Sequence, residues 1–317
     1  MKTSIRTTTA VAFAALAALL TLNLPNSAHA QPPAGAKDGK ATKGKGGGFA
    51  QDPRAQTRTY HFEDTNEDLP YSVYVSSKIK KDQKAPLILT LHGLGAPQTI
   101  MMGAAAIDLA EEGGYILVAP MGYNTGGWYG SPAFAPGAGR GKAKGAPDEA
   151  KGPAPAAKGP GPDAAKGKAR GGAPQPENLR ELSEKDTMNV LAMVRKEFKI
   201  DDKRIYVMGH SMGGAGALYL GGKYPKLFAA VGAEAPAAFW QTRKETLQPM
   251  KDAKVPVIIV HGDIDEVVPV TNSRAWVEVM KELKMQYAFV EQPGITHGPV
   301  IQSGLKPIYE FFAEHKK

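Results

Sequence analysis

The sequence of 317 residues contains no cysteine. This absence excludes disulfide bonds, thiolate metal sites, a cysteine nucleophile and a lipid anchor on an N-terminal cysteine. Long apolar segments are also scarce, since only residues 10–22 form an extended run, which is too short to span a bilayer comfortably. No acidic cluster, pair of histidines or phosphate-binding loop suggests a ligand site, so the sequence predicts no metal ion, no nucleotide and no other cofactor.

The one apolar run belongs to a predicted export signal. Lys2 and Arg6 precede it, and Ser-Ala-His-Ala at residues 27–30 has the small residues of a signal-peptidase site. We expect cleavage after Ala30 and an exported protein, periplasmic or extracellular, whose mature chain begins at Gln31; the alternative is an uncleaved anchor. Residues 31–50 hold four lysines and one acidic residue, and we expect them to form a flexible basic leader.

The net charge of +8 comes from low-complexity segments. Residues 136–176 hold eight Lys or Arg against three acidic residues, and 35 of these 41 residues are Gly, Ala, Pro or Lys. This segment has no aromatic or branched aliphatic residue, so it cannot bury enough apolar area to offset the entropy of ordering. We therefore expect a single domain at residues 51–317, interrupted by a disordered insertion at residues 136–176. We expect no nucleic-acid binding, only a weak attraction to anionic surfaces.

Strands and helices alternate along the rest of the sequence. Apolar runs predict strands at 71–77, 85–93, 115–120, 204–209, 229–236, 255–262 and 286–291. Helical spacing predicts helices at 100–114, 182–200, 212–222, 272–284 and 301–314. Ser183 and Asp186 are expected to cap the second of these helices. The alternation predicts an α/β fold with a mainly parallel central sheet and helices on both faces.

One serine stands between two glycines where a strand stops and a helix begins. The segment is Gly209-His210-Ser211-Met212-Gly213. A turn this tight leaves no room for side chains at the flanking positions, and it holds the serine exposed at the carboxyl edge of the sheet, where chemistry is carried out. We therefore interpret Ser211 as a nucleophile, the alternative being an ordinary turn residue. The helix that begins at Met212 directs its first amides at any anion that develops there.

Serine needs a base, and elimination among the seven histidines leaves His297. It lies in the loop between the last strand and the last helix. His92 and His261 each precede a glycine at a strand end, where we expect them to bond loop backbone. His210 adjoins the serine in the chain, and its side chain is expected to point away across the turn.

An acid must orient the base, and the loop after the penultimate strand offers three. We choose Asp265 over Asp263 and Glu266. Asp263 follows the strand immediately, where a carboxylate commonly caps a turn, whereas Asp265 lies further out in the loop. The order Ser211, Asp265, His297 is the one found in hydrolases built on such a sheet.

The negative oxygen of an acyl-transfer transition state needs two preorganised donors. We expect the N–H of Met212 and the N–H of Leu94, with Gly95 as the second choice for the latter. The candidate substrate walls are aromatic, namely Trp128, Tyr129 and Trp240. The alternative is that these rings only pack their loops onto the body of the protein.

The combination of LTLHGLG, GHSMGGAGA, HGDIDEVVP and THG resembles the α/β-hydrolase superfamily. In particular it is similar to secreted bacterial esterases of the polyhydroxybutyrate-depolymerase, feruloyl-esterase and predicted-peptidase group. The resemblance covers residues 70–135 and 177–317; the tract at 136–176 lies where relatives place a cap or a substrate-facing loop. It implies a serine hydrolase of carboxylic esters that works through a Ser211, His297 and Asp265 triad and an acyl-enzyme.

Two other functions stay open at this point. A serine peptidase of the prolyl-oligopeptidase type uses the same triad. A non-catalytic binding protein held to an anionic surface by its lysines is the third reading, but such proteins usually lack a triad member.

Replacing residues 136–176 with a short Gly/Ser linker should leave the melting temperature and the kcat for a small neutral ester nearly unchanged. The tract's excess of positive charge should instead strengthen binding to an anionic surface at low salt, because salt screens such attraction over about 8–10 Å at physiological ionic strength. Calorimetry and binding to anionic vesicles at two salt concentrations check both statements. Unfolding of the protein, or loss of ester hydrolysis, would show instead that the tract is an ordered lid.

Overall fold

An eight-stranded sheet forms the centre of the protein. The computed structural model describes residues 50–132 and 175–317. The strands are β1 (Gln56–Phe62), β2 (Glu67–Val75), β3 (Ala85–Leu91), β4 (Ile116–Pro120), β5 (Ile200–His210), β6 (Ala230–Glu234), β7 (Val257–Gly262) and β8 (Tyr287–Gln292). Their order is β1-β2-β4-β3-β5-β6-β7-β8. The β1–β2 and β2–β4 pairs are antiparallel and the other five pairs are parallel, which confirms the predicted mainly parallel sheet.

Helices cover both faces of this sheet, as predicted. They are α1 (Ala104–Gly113), α2 (Leu179–Glu197), α3 (Met212–Lys223), α4 (Arg243–Asp252), α5 (Val270–Glu282), α6 (Val300–Ser303) and α7 (Leu305–Glu314). None of the helices in the two described ranges has both the length and the apolar character that crossing a membrane requires. The predicted signal, leader and insertion lie outside the described residues, except for residue 50 of the leader and residues 175 and 176 of the insertion.

Two apolar cores hold the helices against the sheet. Residues of β3 alternate between them, because successive side chains of a strand point to opposite faces. Leu87 and Leu89 join the core beneath α2, α3, α4 and α5, whereas Ile88 joins the core beneath α1 and α7. All seven residues of β3 are buried, as expected of a strand covered on both faces.

Several elements differ from the sequence prediction. β1 and α4 were not predicted, because β1 is mostly exposed at the sheet edge and α4 is polar with Pro249 inside it. The helix expected at 100–114 is interrupted by Gly103, whose extended backbone separates a 3₁₀ turn, Gln98–Met102, from α1. The helix expected at 301–314 is likewise divided at Gly304.

The predicted cap of α2 is wrong. The helix begins at Leu179, so Ser183 and Asp186 lie inside it, fully buried. Each instead fixes the loop after β4: the N–H of Tyr129 donates to Ser183 Oγ at 2.9 Å, and the N–H of Tyr123 donates to Asp186 Oδ2 at 2.8 Å. These residues act across the fold, which a local capping pattern does not reveal.

Glu234, the last residue of β6, carries a fully buried carboxyl group. Neither carboxyl oxygen has a hydrogen-bond partner within the described residues. A side chain at Gly304 would begin 2.6 Å from Oε1, so the group lies against the junction of α6 and α7. Burial raises the pKa of Glu234 well above its usual 4.5, and the folded protein therefore holds this carboxyl in its neutral form.

Glu234→Gln should stabilise the protein increasingly as the pH rises from 5 to 8. The unfolded chain ionises Glu234 above about pH 4.5 while the folded chain does not, so the wild-type protein loses stability as pH rises toward the folded pKa. The glutamine variant has no such loss, and its advantage in unfolding free energy should grow by up to about 1.4 kcal/mol per pH unit. Urea unfolding of both proteins at four pH values measures this advantage. An advantage that stays constant with pH would contradict a neutral Glu234.

Candidate active site

Ser211 occupies a strained turn between β5 and α3. Its backbone has φ 58° and ψ −114°, a region that residues other than glycine adopt at a cost of about 1–3 kcal/mol. The turn is possible because its flanking residues lack side chains. A Cβ at Gly213 would collide with the carbonyl group of Leu91, and one at Gly209 would lie 2.5 Å from the carbonyl carbon of Gly213.

His297 joins Ser211 to Asp265. Its Nε2 lies 2.9 Å from Ser211 Oγ, and its Nδ1 lies 2.6 Å from Asp265 Oδ2. The carboxylate can only accept, so Nδ1 carries the hydrogen and Nε2 is free to accept the serine hydroxyl proton. The side chain of His297 is 16% exposed, whereas that of Asp265 is fully buried. The structure therefore brings the three predicted residues together in the order that nucleophilic catalysis requires.

Asp265 accepts four hydrogen bonds. The N–H groups of Val267 and Val268 each donate to Oδ1 at 2.8 Å. Oδ2 accepts from His297 and also from His261 Nε2, at 3.1 Å. Burial alone would raise the pKa of Asp265, but the bonds from His261, His297 and Val268 outweigh it and hold the pKa well below its usual value. The acid consequently stays ionised beside His297.

The two rejected acids lie elsewhere. Asp263 is exposed, and its Oδ1 accepts the N–H of Gly294 at 2.7 Å, so it caps the turn after β8 as expected. Glu266 is exposed as well.

The remaining histidines of the sheet edge divide into three cases. His92 bonds loop backbone as predicted, with Nδ1 2.9 Å from the Gly93 carbonyl and Nε2 2.8 Å from the Met121 carbonyl. His210 does not point away from the site: its Nε2 lies 2.9 Å from the backbone oxygen of His297, and the two rings are 4.7 Å apart. His261 bonds the Val268 carbonyl, as expected, but also the Asp265 carboxylate, which sequence reasoning missed.

His210 supports the loop that carries the base. Burial, followed by the neighbouring His297, lowers the pKa of His210 to about 4. The ring is therefore neutral at ordinary pH, and its Nε2–H donates to the His297 carbonyl oxygen.

Two backbone N–H groups beside Ser211 are available to a ligand. Met212 begins α3, so its N–H has no partner within that helix. A Cβ at Gly93 would lie 3.5 Å from Ser211 Cβ, which places Leu94, the next residue, close to the serine. The N–H of Gly95 donates to the Thr125 oxygen at 2.8 Å, whereas the N–H of Leu94 makes no hydrogen bond to any described residue. Leu94 is therefore the better donor of the two alternatives.

The three predicted aromatic walls have different surroundings. Tyr129 is fully buried and its hydroxyl donates to the His92 oxygen at 3.2 Å, so it packs its loop onto the body and leaves no surface for a substrate. Trp128 is only 8% exposed and belongs to the same core. Trp240 is half-buried, and its Nε1–H donates to Thr246 Oγ1 at 3.1 Å.

Across residues 50–132 and 175–317, no three His, Asp or Glu side chains form a group suited to a metal ion.

Comparison of the sequence with known proteins identifies esterases. Residues 163–295 match a family model described as putative esterase, a segment that contains Ser211 and Asp265 and ends before His297. Cutinase 2 of Thermobifida cellulosilytica is 35% identical over 100 residues, which are 31% of this chain and 35% of that protein. The chain thus spans about a third of the length of the curated relatives it matches.

Solved structures extend the similarity to the whole fold. A ferulic acid esterase from Anaeromyces mucronatus superposes with a TM-score of 0.55 at 19% identity, covering 86% of this chain and 93% of that one. A putative dipeptidyl aminopeptidase IV from Bacteroides ovatus gives 0.54 at 15% identity, covering 82% of this chain and 36% of that one. With its sheet order, its helices on both faces and its serine turn after β5, the chain has an α/β-hydrolase fold.

Proposed function

We propose that the protein is a carboxylic ester hydrolase in which Ser211 is the nucleophile, His297 the general base and Asp265 the orienting acid. One observation carries the proposal: a continuous line of hydrogen bonds runs from Ser211 Oγ through His297, at 2.9 Å, to Asp265, at 2.6 Å. The match to an esterase family model supports the same chemistry.

The reaction follows from the positions of these atoms. His297 Nε2 removes the hydroxyl proton as Ser211 Oγ attacks the ester carbonyl carbon, and the N–H groups of Leu94 and Met212 stabilise the oxyanion that forms. The His297 imidazolium then returns the proton to the departing alcohol, which leaves an acyl-serine. Water, activated by the same imidazole, releases the acid and restores the serine hydroxyl. Asp265 stays ionised throughout and stabilises the imidazolium.

The rim of the site favours an ester with an apolar chain. The large hydrophobic side chains that are most exposed in the described ranges are Leu94, Ile264 and Val267, at 62%, 52% and 66%. All three lie in loops that carry the proposed machinery, after β3 and after β7. Exposed apolar area contributes to binding when it is covered, so these residues are proposed to contact the substrate together with Trp240. Cutinases and ferulic acid esterases among the similar proteins fit such a preference.

A serine peptidase is the second candidate, because a putative dipeptidyl aminopeptidase IV shares the fold and peptidases use the same triad. p-Nitrophenyl esters of graded chain length, assayed beside a panel of peptide anilides, separate the two. Turnover of anilides with little turnover of esters would identify a peptidase. Absence of turnover in both panels would leave a binding protein.

Ser211→Ala should reduce kcat for p-nitrophenyl esters by about 10³-fold or more, because the nucleophile is lost. The protein should stay folded, since the hydroxyl is a reagent and contributes little to packing. Ser77→Ala is the matched control, because Ser77 is exposed after β2, at the opposite edge of the sheet. Circular dichroism and steady-state kinetics on both variants, and on His297→Ala, check this. A folded Ser211→Ala protein that keeps most of its activity would refute the proposed nucleophile.

Asp265→Asn should lower kcat by several orders of magnitude, up to about 10⁴-fold, since an amide cannot stabilise the imidazolium and favours the wrong tautomer of His297. Asp263→Asn, two residues earlier in the same loop, should keep activity within a few-fold of wild type. Kinetics of the pair under one set of conditions provide the measurement. The reverse pattern would move the acid to Asp263.

A further inference from the structure

Asp265 holds two imidazoles on one oxygen. Oδ2 contacts Nδ1 of His297 at 2.6 Å and Nε2 of His261 at 3.1 Å. His261 lies near the end of β7, fully buried, and its ring has no path to a substrate. The proposed reaction uses only the first of these imidazoles, so the second calls for an explanation.

The bonds of His261 define its tautomer. Nε2 faces two acceptors, the Asp265 carboxylate and the Val268 carbonyl at 2.8 Å, so it must carry a hydrogen. Nδ1 lies 2.6 Å from Ser273 Oγ, in the first turn of α5. Ser273 is fully buried, and its hydroxyl has no other acceptor within the described residues. The hydroxyl proton therefore points at Nδ1, and His261 is the neutral Nε2–H tautomer.

We propose that His261, fixed by Ser273, is a positioning residue for the ester hydrolysis proposed above: its Nε2–H holds Asp265 Oδ2 at the distance and angle that His297 requires. The chain of contacts becomes Ser273, His261, Asp265, His297 and Ser211, and it links the first turn of α5 to the nucleophile. The inference rests on the proposed function, because a positioning role has meaning only if His297 is the base.

Sharing of Oδ2 has a second effect. A carboxylate oxygen that accepts from two donors presents less negative charge to each of them. His261 thus reduces the stabilisation that Asp265 gives to the His297 imidazolium. Removing the donor from His261 should make Asp265 attract the proton of His297 more strongly.

The other charged and titratable groups near His261 are few. His210 of β5 is neutral, because burial and His297 lower its pKa to about 4. Glu291 of β8 is paired with Arg274 of α5, with Arg274 Nη2 2.5 Å from Oε1. Asp263, in the loop after β7, is exposed and bonds Gly294. These groups stay in place in the variants below, so a change in the pH profile reports on Asp265 and His297.

Three variants test the proposal. His261→Leu removes the donor, His261→Gln keeps an N–H at about the reach of Nε2, and Ser273→Ala keeps the ring but frees its tautomer. For p-nitrophenyl ester hydrolysis we expect His261→Leu to lower kcat by roughly 10- to 100-fold, with KM almost unchanged. This is the rate change that corresponds to the loss of one hydrogen bond to a charged group. The acid limb of the kcat/KM profile, which reports protonation of the base, should move to higher pH.

The other two variants separate positioning from packing. His261→Gln should recover most of the kcat and return the acid limb toward its wild-type position. Ser273→Ala should lower kcat by about 2- to 10-fold, the worth of a neutral hydrogen bond, and move the acid limb in the same direction as His261→Leu. Melting temperatures recorded beside the kinetics show which variants are folded.

Wild-type kcat in folded His261→Leu, a loss with an unmoved acid limb, or a glutamine variant no better than leucine would each overturn the proposal. If His261→Leu does not fold, an unmoved acid limb in Ser273→Ala overturns it alone. Wild-type protein and Ser211→Ala are assayed in parallel. Equal activity in those two would refute the proposed triad itself, whereas a large difference between them with unaffected His261 variants would refute only the positioning role.

Discussion

The site depends on one strained turn. Ser211 has a positive φ that a serine does not adopt freely, and the surrounding structure has to hold it there. Three backbone hydrogen bonds do so: the Ser211 N–H donates to the Glu234 oxygen at 2.8 Å, and the Ser211 oxygen accepts from Ala215 and Ala237 at 3.0 Å each. Residues of β6, of α3 and of the loop after β6 therefore hold the serine backbone in place. The absence of side chains at Gly209 and Gly213 lets β3 and α3 approach closely enough for these hydrogen bonds to form.

The parallel sheet converts this local constraint into a site. Loops after β3, β5, β7 and β8 leave the same edge, and short backbone bonds tie the last two together, with the N–H of Asp263 donating to the Gln292 oxygen at 3.1 Å. Asp265 connects these loops, because two backbone amides and two imidazoles donate hydrogen bonds to its carboxylate. His210 and His261, which flank the serine and the acid loop, each hold one partner of the proposed triad through a neutral N–H. The buried carboxylate of Asp265 is stable in its ionised form because both of its oxygens accept hydrogen bonds.

Sequence reasoning recovered the parts of this design that periodicity and chain order encode. Buried strands such as β3 and β4 read as continuous apolar runs, and the order of serine, acid and histidine selected the three residues that the fold brings together. It missed features whose causes are tertiary. Ser183 looks like a helix cap but is held by the loop of Tyr129, and the pair His261 and Ser273 is joined only when α5 packs against β7. No local pattern distinguishes a histidine that bonds backbone from one that also supports an acid.

The central claim is that Ser211 is the reactive nucleophile of a serine hydrolase. Incubation of the wild-type protein with a fluorophosphonate, followed by proteolysis and mass spectrometry, tests it most directly, since such reagents trap the activated serine covalently. The account predicts one adduct per chain, on the peptide that contains Ser211, together with loss of ester hydrolysis in proportion to labelling. An adduct on another residue, or full ester hydrolysis by protein that is completely labelled at Ser211, would contradict it.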